Sequence, residues 1–296
     1  MCWQIELIRL YEFLSEEYHS HLWPFCQRFS NHNKPNFSDV EVLTVYLFGL
    51  KQGHRELKKI HFFTHCFLNN WFPNLPSYVS FVRRLNRLED LFPVLIERLQ
   101  PRILQAKNLA EVYIVDSFPV IMANGKRALK AKVAAHFANK GKCASKGVYY
   151  YGLKVHIIAI RVKGHMPIPV CIGLSPAADN DLTLLKIMLP YFRDASLYGD
   201  KIYLSKPLME QLIQEQNLQL LTPVKKKKKQ TTDLDMFQKL LSRSVSGIRQ
   251  PIESLFNWIN EKTNIQNASK VRSWRGVMVQ TFGRIAAAMI TMMFNM

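Results

Sequence analysis

The chain has 296 residues, 48% of them hydrophobic, enough for one large or two ordinary globular domains around a sizeable core. Forty Lys and Arg against 22 Asp and Glu give a net charge of +18, which favours a polyanionic partner: nucleic acid first, an anionic membrane surface second. Five cysteines without a Cys-x-x-Cys pair argue against a disulfide framework, and the N-terminus lacks the basic-then-apolar layout of a signal peptide, so a cytoplasmic protein is expected.

The first hundred residues read as helical. Residues 4–19 carry apolar positions at helical spacing, and Ser38-Asp-Val-Glu41 is a capping box opening a helix that ends at Gly53. A third helix is predicted over 55–70. Within it His61, His65 and Cys66 raise the question of zinc, but further ligands at a recognisable spacing are missing and packing is the better reading. Pro73 and Pro76 then break the chain, and Ser77 caps a helix that displays Arg83, Arg84 and Arg87 around Phe81, Leu85 and Leu88. A helix, a short turn and a basic helix fit either a helix-turn-helix DNA reader or a helical bundle used for packing or dimerisation.

A boundary near residue 105 separates this part, 1–105, from a region, 106–296, that alternates strands with helices. The predicted order is strand 111–116, strand 148–160, strand 168–174, helix 181–191, strand 196–200, helix 205–216, strand 218–223, and helices from about 248 to the end. That pattern predicts an α/β domain with a mixed sheet covered by helices, the order of a ribonuclease-H-like fold. The apolar run Ile285–Phe294 is about ten residues, half of what a spanning helix needs, and predicts a buried terminal helix and no membrane partner.

Three acids carry the chemistry. Asp116 follows Glu111-Val-Tyr-Ile-Val115, a run that reads as a buried strand, and Asp200 follows Ala195-Ser-Leu-Tyr-Gly199 in the same way; both are expected at strand ends. Glu253 lies beside the helical stripe Ile248, Ile252, Leu255, Phe256 and Ile259. Singly, each is explained as a turn or surface carboxylate. Together they suit Mg²⁺, which takes oxygen ligands from one or two carboxylates and completes its shell with water and phosphate.

Around them lie candidate DNA contacts. Lys126, Arg127, Lys130, Lys132, Lys140, Lys142 and Lys146 share a stretch, 124–147, that holds no acid, so that it repels itself unless it meets phosphate. A second run, Lys225 to Lys229, fits a solvated surface equally well. Lys154 and His156 project from one strand to one face, His156 either toward a phosphate or capping a sheet edge. Asp181 reads as a helix N-cap more readily than as a fourth active-site acid. Trp258 and Trp274 read as core packing before base stacking.

The segments Ile114-Val-Asp-Ser-Phe-Pro119, Tyr150-Tyr-Gly-Leu-Lys-Val-His156, Ala178-Asp-Asn-Asp181, Tyr198-Gly-Asp-Lys-Ile-Tyr203 and Arg249-Gln-Pro-Ile-Glu253, in this order, resemble the landmarks of bacterial insertion-sequence transposases of the DDE class. Among these the chain most resembles the insertion-sequence family numbered nine-eight-two, and Leu75-Pro-Ser77 before a basic helix extends the likeness to the N-terminal part. The resemblance implies a DNA transposase, associated with the nucleoid, with Asp116, Asp200 and Glu253 as catalytic and metal-binding triad. It implies two Mg²⁺ ions, with Mn²⁺ as substitute, Asp116 bridging them and Asp200 and Glu253 each holding one. Terminal inverted repeats and target DNA are the implied partners, and a homodimer or larger assembly is expected on them. Related enzymes place a tyrosine and an arginine before the glutamate and a lysine after it. Here Arg249 matches, as a phosphate contact, whereas Ser246 and Asn260 stand at the other two positions and Lys262 is out of register. Pro251 implies that a helix starts there or kinks. The alternatives are a nuclease of the same fold that does not join strands, and a DNA-binding descendant without catalysis.

Overall fold

The computed structural model describes residues 2–27, 35–105, 112–143, 147–225 and 235–295; Glu111, Lys146 and Lys226 to Lys229 lie outside them. The chain divides into two compact units, Met1–Ile103 with Ile259–Met296, and Leu104–Trp258.

The first unit opens with α1 (Trp3–Glu17), whose Leu7, Leu10, Phe13 and Leu14 recur at helical spacing and are buried. α2 (Asp39–Lys51) begins at the capping box read from the sequence: the Ser38 hydroxyl accepts from the Glu41 amide at 3.1 Å and the Glu41 carboxylate accepts from the Ser38 amide at 2.5 Å. From Val42 to Leu50 every residue of α2 is buried, so this helix is the core of the unit, with α1 and α3 (Leu57–Phe67) against it. α4 (Tyr78–Arg87) is capped by Ser77, and α5 (Leu91–Leu104) follows. Buried Glu17 on α1 receives Arg98 and Arg102 from α5, a carboxylate held by two guanidinium groups.

The second unit is built on a six-stranded mixed sheet. β1 (Val112–Asn124) pairs antiparallel with β3 (Val148–Ile160) and, over Val112–Ile114 alone, parallel with β5 (Ala195–Tyr198). On its other edge β3 pairs first with β2 (Asn139–Cys143) and then with β4 (Ile168–Pro176). Between β4 and β5 runs α6 (Asp181–Met188); α7 (Lys206–Gln216) leads from β5 to β6 (Leu218–Leu221), which pairs parallel with β5. α8 (Met236–Arg249) and α9 (Pro251–Thr263) follow, and the chain ends with α10 (Trp274–Met278), a π turn over Val279–Gly283 and α11 (Arg284–Phe294).

Strand alternation sorts the faces. Odd-numbered Val115 joins Leu185, Leu208 and Leu212 in a core covered by α6 and α7, whereas even-numbered Phe118 meets Phe256 of α9, ring centroids 4.7 Å apart. Gly152 permits the close approach of β3 to β1, since a Cβ there would overlap the Val120 carbonyl oxygen.

Several sequence expectations need correction. β1 runs eight residues past Asp116, because antiparallel pairing with β3 carries it on to Asn124; Asp116 is therefore mid-strand, just beyond the parallel pairing with β5. The loop after it contains β2 and a 3₁₀ turn, Gly125–Leu129. The last helices, from Ile259, belong to the first unit and not to the sheet-bearing one. The helical run Trp274–Phe294 is 21 residues, long and apolar enough by composition to cross a membrane, yet 67% of its most apolar window is buried inside the fold. Gln280 ties it there, donating to the backbone of Asn264, Ile265 and Asn267.

Candidate active site

Asp116 shares its strand face with Phe118, so its side chain projects toward the α8–α9 side of the sheet. There Pro251 decides the local geometry. Having no N–H and a fixed φ, it ends α8 at Arg249 and starts α9 as first residue. Arg249 thus stands on the last turn of one helix and Glu253 on the first turn of the next. Its guanidinium spans both acids: Nη1 lies 2.5 Å from Asp116 Oδ2 and Nη2 lies 2.7 Å from Glu253 Oε1. One planar fork holding two carboxylates is a geometry that lysine does not supply.

Asp200 follows β5 by two residues and stands at the N-cap position of the 3₁₀ turn Lys201–Tyr203, with no hydrogen bond from its side chain to that turn. Gly199 lets the chain turn tightly here, since a Cβ would press on Tyr203 and Val115. Burial is the first cause that pushes the Asp116 pKa up to about 6; the Ser117 amide, 2.8 Å away, and Arg249 oppose this, while the negative charges of Asp200 and Glu253 add to it. The same acids act on Arg249. Burial works against its cation, yet Asp116 and Glu253 hold its pKa above the ordinary value. The Tyr203 phenol, fully buried, is pushed well up by burial first and then by the fields of Asp116, Asp181 and Asp200.

The opposite face of β1 carries a second polar group. Ser117 donates to Asp181 Oδ2 at 2.7 Å, and Lys154 of β3 pairs with Asp181 Oδ1. The N-cap of α6 is Asn180, which accepts from the Leu182 amide; Asp181 is the first helical residue, buried, and not the cap that the sequence suggested. Asp181 is thus a buried, paired carboxylate in place of a solvent-facing cap. The clue was present in Asp179-Asn-Asp181, where a register one residue earlier turns the second acid inward.

The remaining candidates separate. His156 is 1% exposed and hydrogen-bonded to the Ser175 hydroxyl at 2.9 Å, and burial lowers its pKa to about 4; it is a neutral core histidine, which corrects its reading as a phosphate contact. Lys154 is engaged with Asp181, and Arg84 lies 3.0 Å from Asp39 with its guanidinium over the Phe37 ring. Both are held in internal ion pairs in place of projecting to solvent. Arg83 and Arg87 are exposed on α4, and Lys126, Arg127, Lys130, Lys132, Lys140 and Lys142 are exposed around β2 and its preceding turn.

The donor set around Asp116 is all carboxylate, the kind that hard divalent cations take, and mutual repulsion among these acids is what such a cation relieves. Among the described residues no three acids, histidines or cysteines form a ready-made metal cage. Instead the Arg249 fork lies between Asp116 and Glu253, supplying a positive charge where two of the acids converge. A family model described as Transposase DDE domain matches residues 106–273, more than half of the chain. No curated protein and no solved structure matches the chain.

Proposed function

We propose that this chain, which belongs to the transposase DDE-domain family, binds the terminal inverted repeats of its own mobile element and cuts and joins DNA with Asp116, Asp200 and Glu253. The observation that carries the reading is the convergence of Asp116 and Glu253 on Arg249, with Asp200 close enough to act on the Asp116 charge. The sheet order β4–β3–β1–β5–β6, antiparallel over its first three strands and parallel over the last two, supports a ribonuclease-H-like catalytic domain. The ordered landmarks support the insertion-sequence family numbered nine-eight-two.

In this reading a water oxygen attacks phosphorus at the element end, the P–O bond to the element's 3′ oxygen breaks, and a 3′-hydroxyl is freed. That hydroxyl then attacks a phosphodiester of target DNA and displaces the target's own 3′ oxygen, so one phosphodiester replaces another. When bound, Mg²⁺ supplies Lewis-acid stabilisation of charge on the attacking and leaving oxygens, and Asp116, Asp200 and Glu253 would hold it. Arg249 positions two of these acids, and its planar fork is of the kind that also suits phosphate oxygens. The exposed lysines and Arg127 between Asn124 and Cys143 contribute a sequence-independent grip on the DNA backbone. Two element ends must be held at once, which calls for a dimer or a larger assembly on DNA.

A strand-joining assay tests the transposase reading against a nuclease of the same fold. Element-end duplex and a plasmid target are incubated with the protein and Mg²⁺, and covalent joints are sought. Joined product supports transposition; cleavage without joining in the presence of target supports the nuclease.

A further inference from the structure

The helical unit holds a second polar feature, outside the unit that carries the acids. A cavity of about 240 Å³ opens between the turn before α3, the face of α4, the segment 264–273 and the α10–α11 run. This is somewhat below the roughly 300–1,000 Å³ of pockets for drug-sized ligands and suits a small group. Arg284 lines it, 5% exposed. Its Nη2 donates to the Arg55 carbonyl at 2.8 Å, while Nε and Nη1 are buried with no partner among the described residues.

The electrostatics of the cavity are one-sided. Five of its lining residues are cations, and Glu56 is the single carboxylate among them. Glu56 is already committed, lying 2.5 Å from Lys270 and 3.9 Å from Lys59. Among the described residues that line the cavity, no carboxylate is left to face Arg284. Burial pulls its pKa down, the direction expected of a cation away from water, although a guanidinium stays protonated in proteins. An uncompensated buried charge is costly to the fold, and part of that cost is recovered when an anion arrives. Arg55 and Lys58 are exposed near the mouth, and Arg272 is steadied there by donating to the carbonyls of Ser269 and Val271 at 2.8 Å.

We propose that this cavity is a phosphate-binding site, with Arg284 as the buried donor and Arg55, Lys58 and Arg272 gathering the anion at its mouth. Arg284 Nη1 and Nε offer open N–H donors on different sides of the guanidinium, which suits a phosphate, with its several acceptor oxygens, better than a monatomic anion. A backbone phosphate of DNA and the phosphate of a free nucleotide share this chemistry. The proposal does not depend on the catalytic reading, because none of its residues belongs to the acid cluster or the unit that carries it.

The test uses the full chain, with Arg284→Met and the double substitution Arg55→Gln, Lys58→Gln. Each is titrated at constant ionic strength with inorganic phosphate, with a mononucleotide and with a short duplex, alongside thermal melts. The expected result is that phosphate raises the melting temperature of the parent and that Arg284→Met abolishes the rise. If the source is DNA, duplex affinity also falls about tenfold and the salt slope drops by about one. If the source is a nucleotide, nucleotide binding is lost and duplex affinity is unchanged. The proposal is overturned if Arg284→Met folds and binds phosphate, nucleotide and duplex like the parent, the cavity then holding only water. Should Arg284→Met fail to fold, the exposed double substitution decides: a phosphate response weakened at least threefold supports the site, and an unchanged response overturns it.

Discussion

Asp116 is asked to remain charged where the fold favours its neutral form. Its pKa rises from 3.8 to about 6, so its favourable contribution to stability is complete below about pH 4 and is lost as pH rises through about 6. Asp116→Asn should therefore be more stable than the parent at pH 8 in EDTA, by about 1–3 kcal/mol after the weakened Arg249 contact is discounted, with the advantage gone near pH 4. Urea unfolding at the two pH values measures this, and a variant less stable than the parent at pH 8 contradicts it. Arg249→Ala leaves two acids without their shared cation and is expected to cost about 1–3 kcal/mol in EDTA, part of which Mg²⁺ restores. A variant whose unfolding midpoint ignores Mg²⁺ would show that the acids do not take the ion. At this scale the sequence already singled out Arg249 with Asp116, Asp200 and Glu253. It could not show that His156 is buried, since alternation along a strand names a face but not what covers it.

The elements were legible where local chemistry sets their limits. Ser38 and Ser77 mark helix starts through side-chain caps, and Pro251 marks the α8–α9 junction because no other residue removes the same donor and fixes the same φ. Limits set by pairing were not legible. Nothing in Ser117-Phe-Pro-Val120 indicates that β1 continues to Asn124; the continuation comes from the hydrogen-bonding edge of β3, which is distant in sequence. Gly152 is the sharpest probe of that pairing. Gly152→Ala is expected to cost more than about 2 kcal/mol, because the new methyl meets backbone in a strand pair that cannot part without losing its register. Thermal unfolding measures this, and a variant that melts with the parent would mean that the close approach of β1 and β3 is not required.

Across the whole molecule, composition points to a class of partner, and the family match agrees with it in kind. A charge of +18 favours a polyanionic partner, and the acid-free stretch after Asp116 is the first place to test for one. Replacing Lys126, Arg127, Lys130 and Lys132 by Gln should lower the slope of log affinity against log salt for duplex DNA by about 3–4; an unchanged slope removes this stretch from the interface. The division into units was less legible, because one compact unit is assembled from both ends of the chain and sequence distance conceals that contact. The triad itself is tested most directly by Mg²⁺-dependent cleavage of element-end DNA by the parent and by Asp116→Ala, Asp200→Ala and Glu253→Ala, each confirmed folded by its melt. Cleavage by the parent is expected to stop in EDTA and to be lost in all three variants. Cleavage at the parental rate by any folded member of the three would remove that acid from the active site.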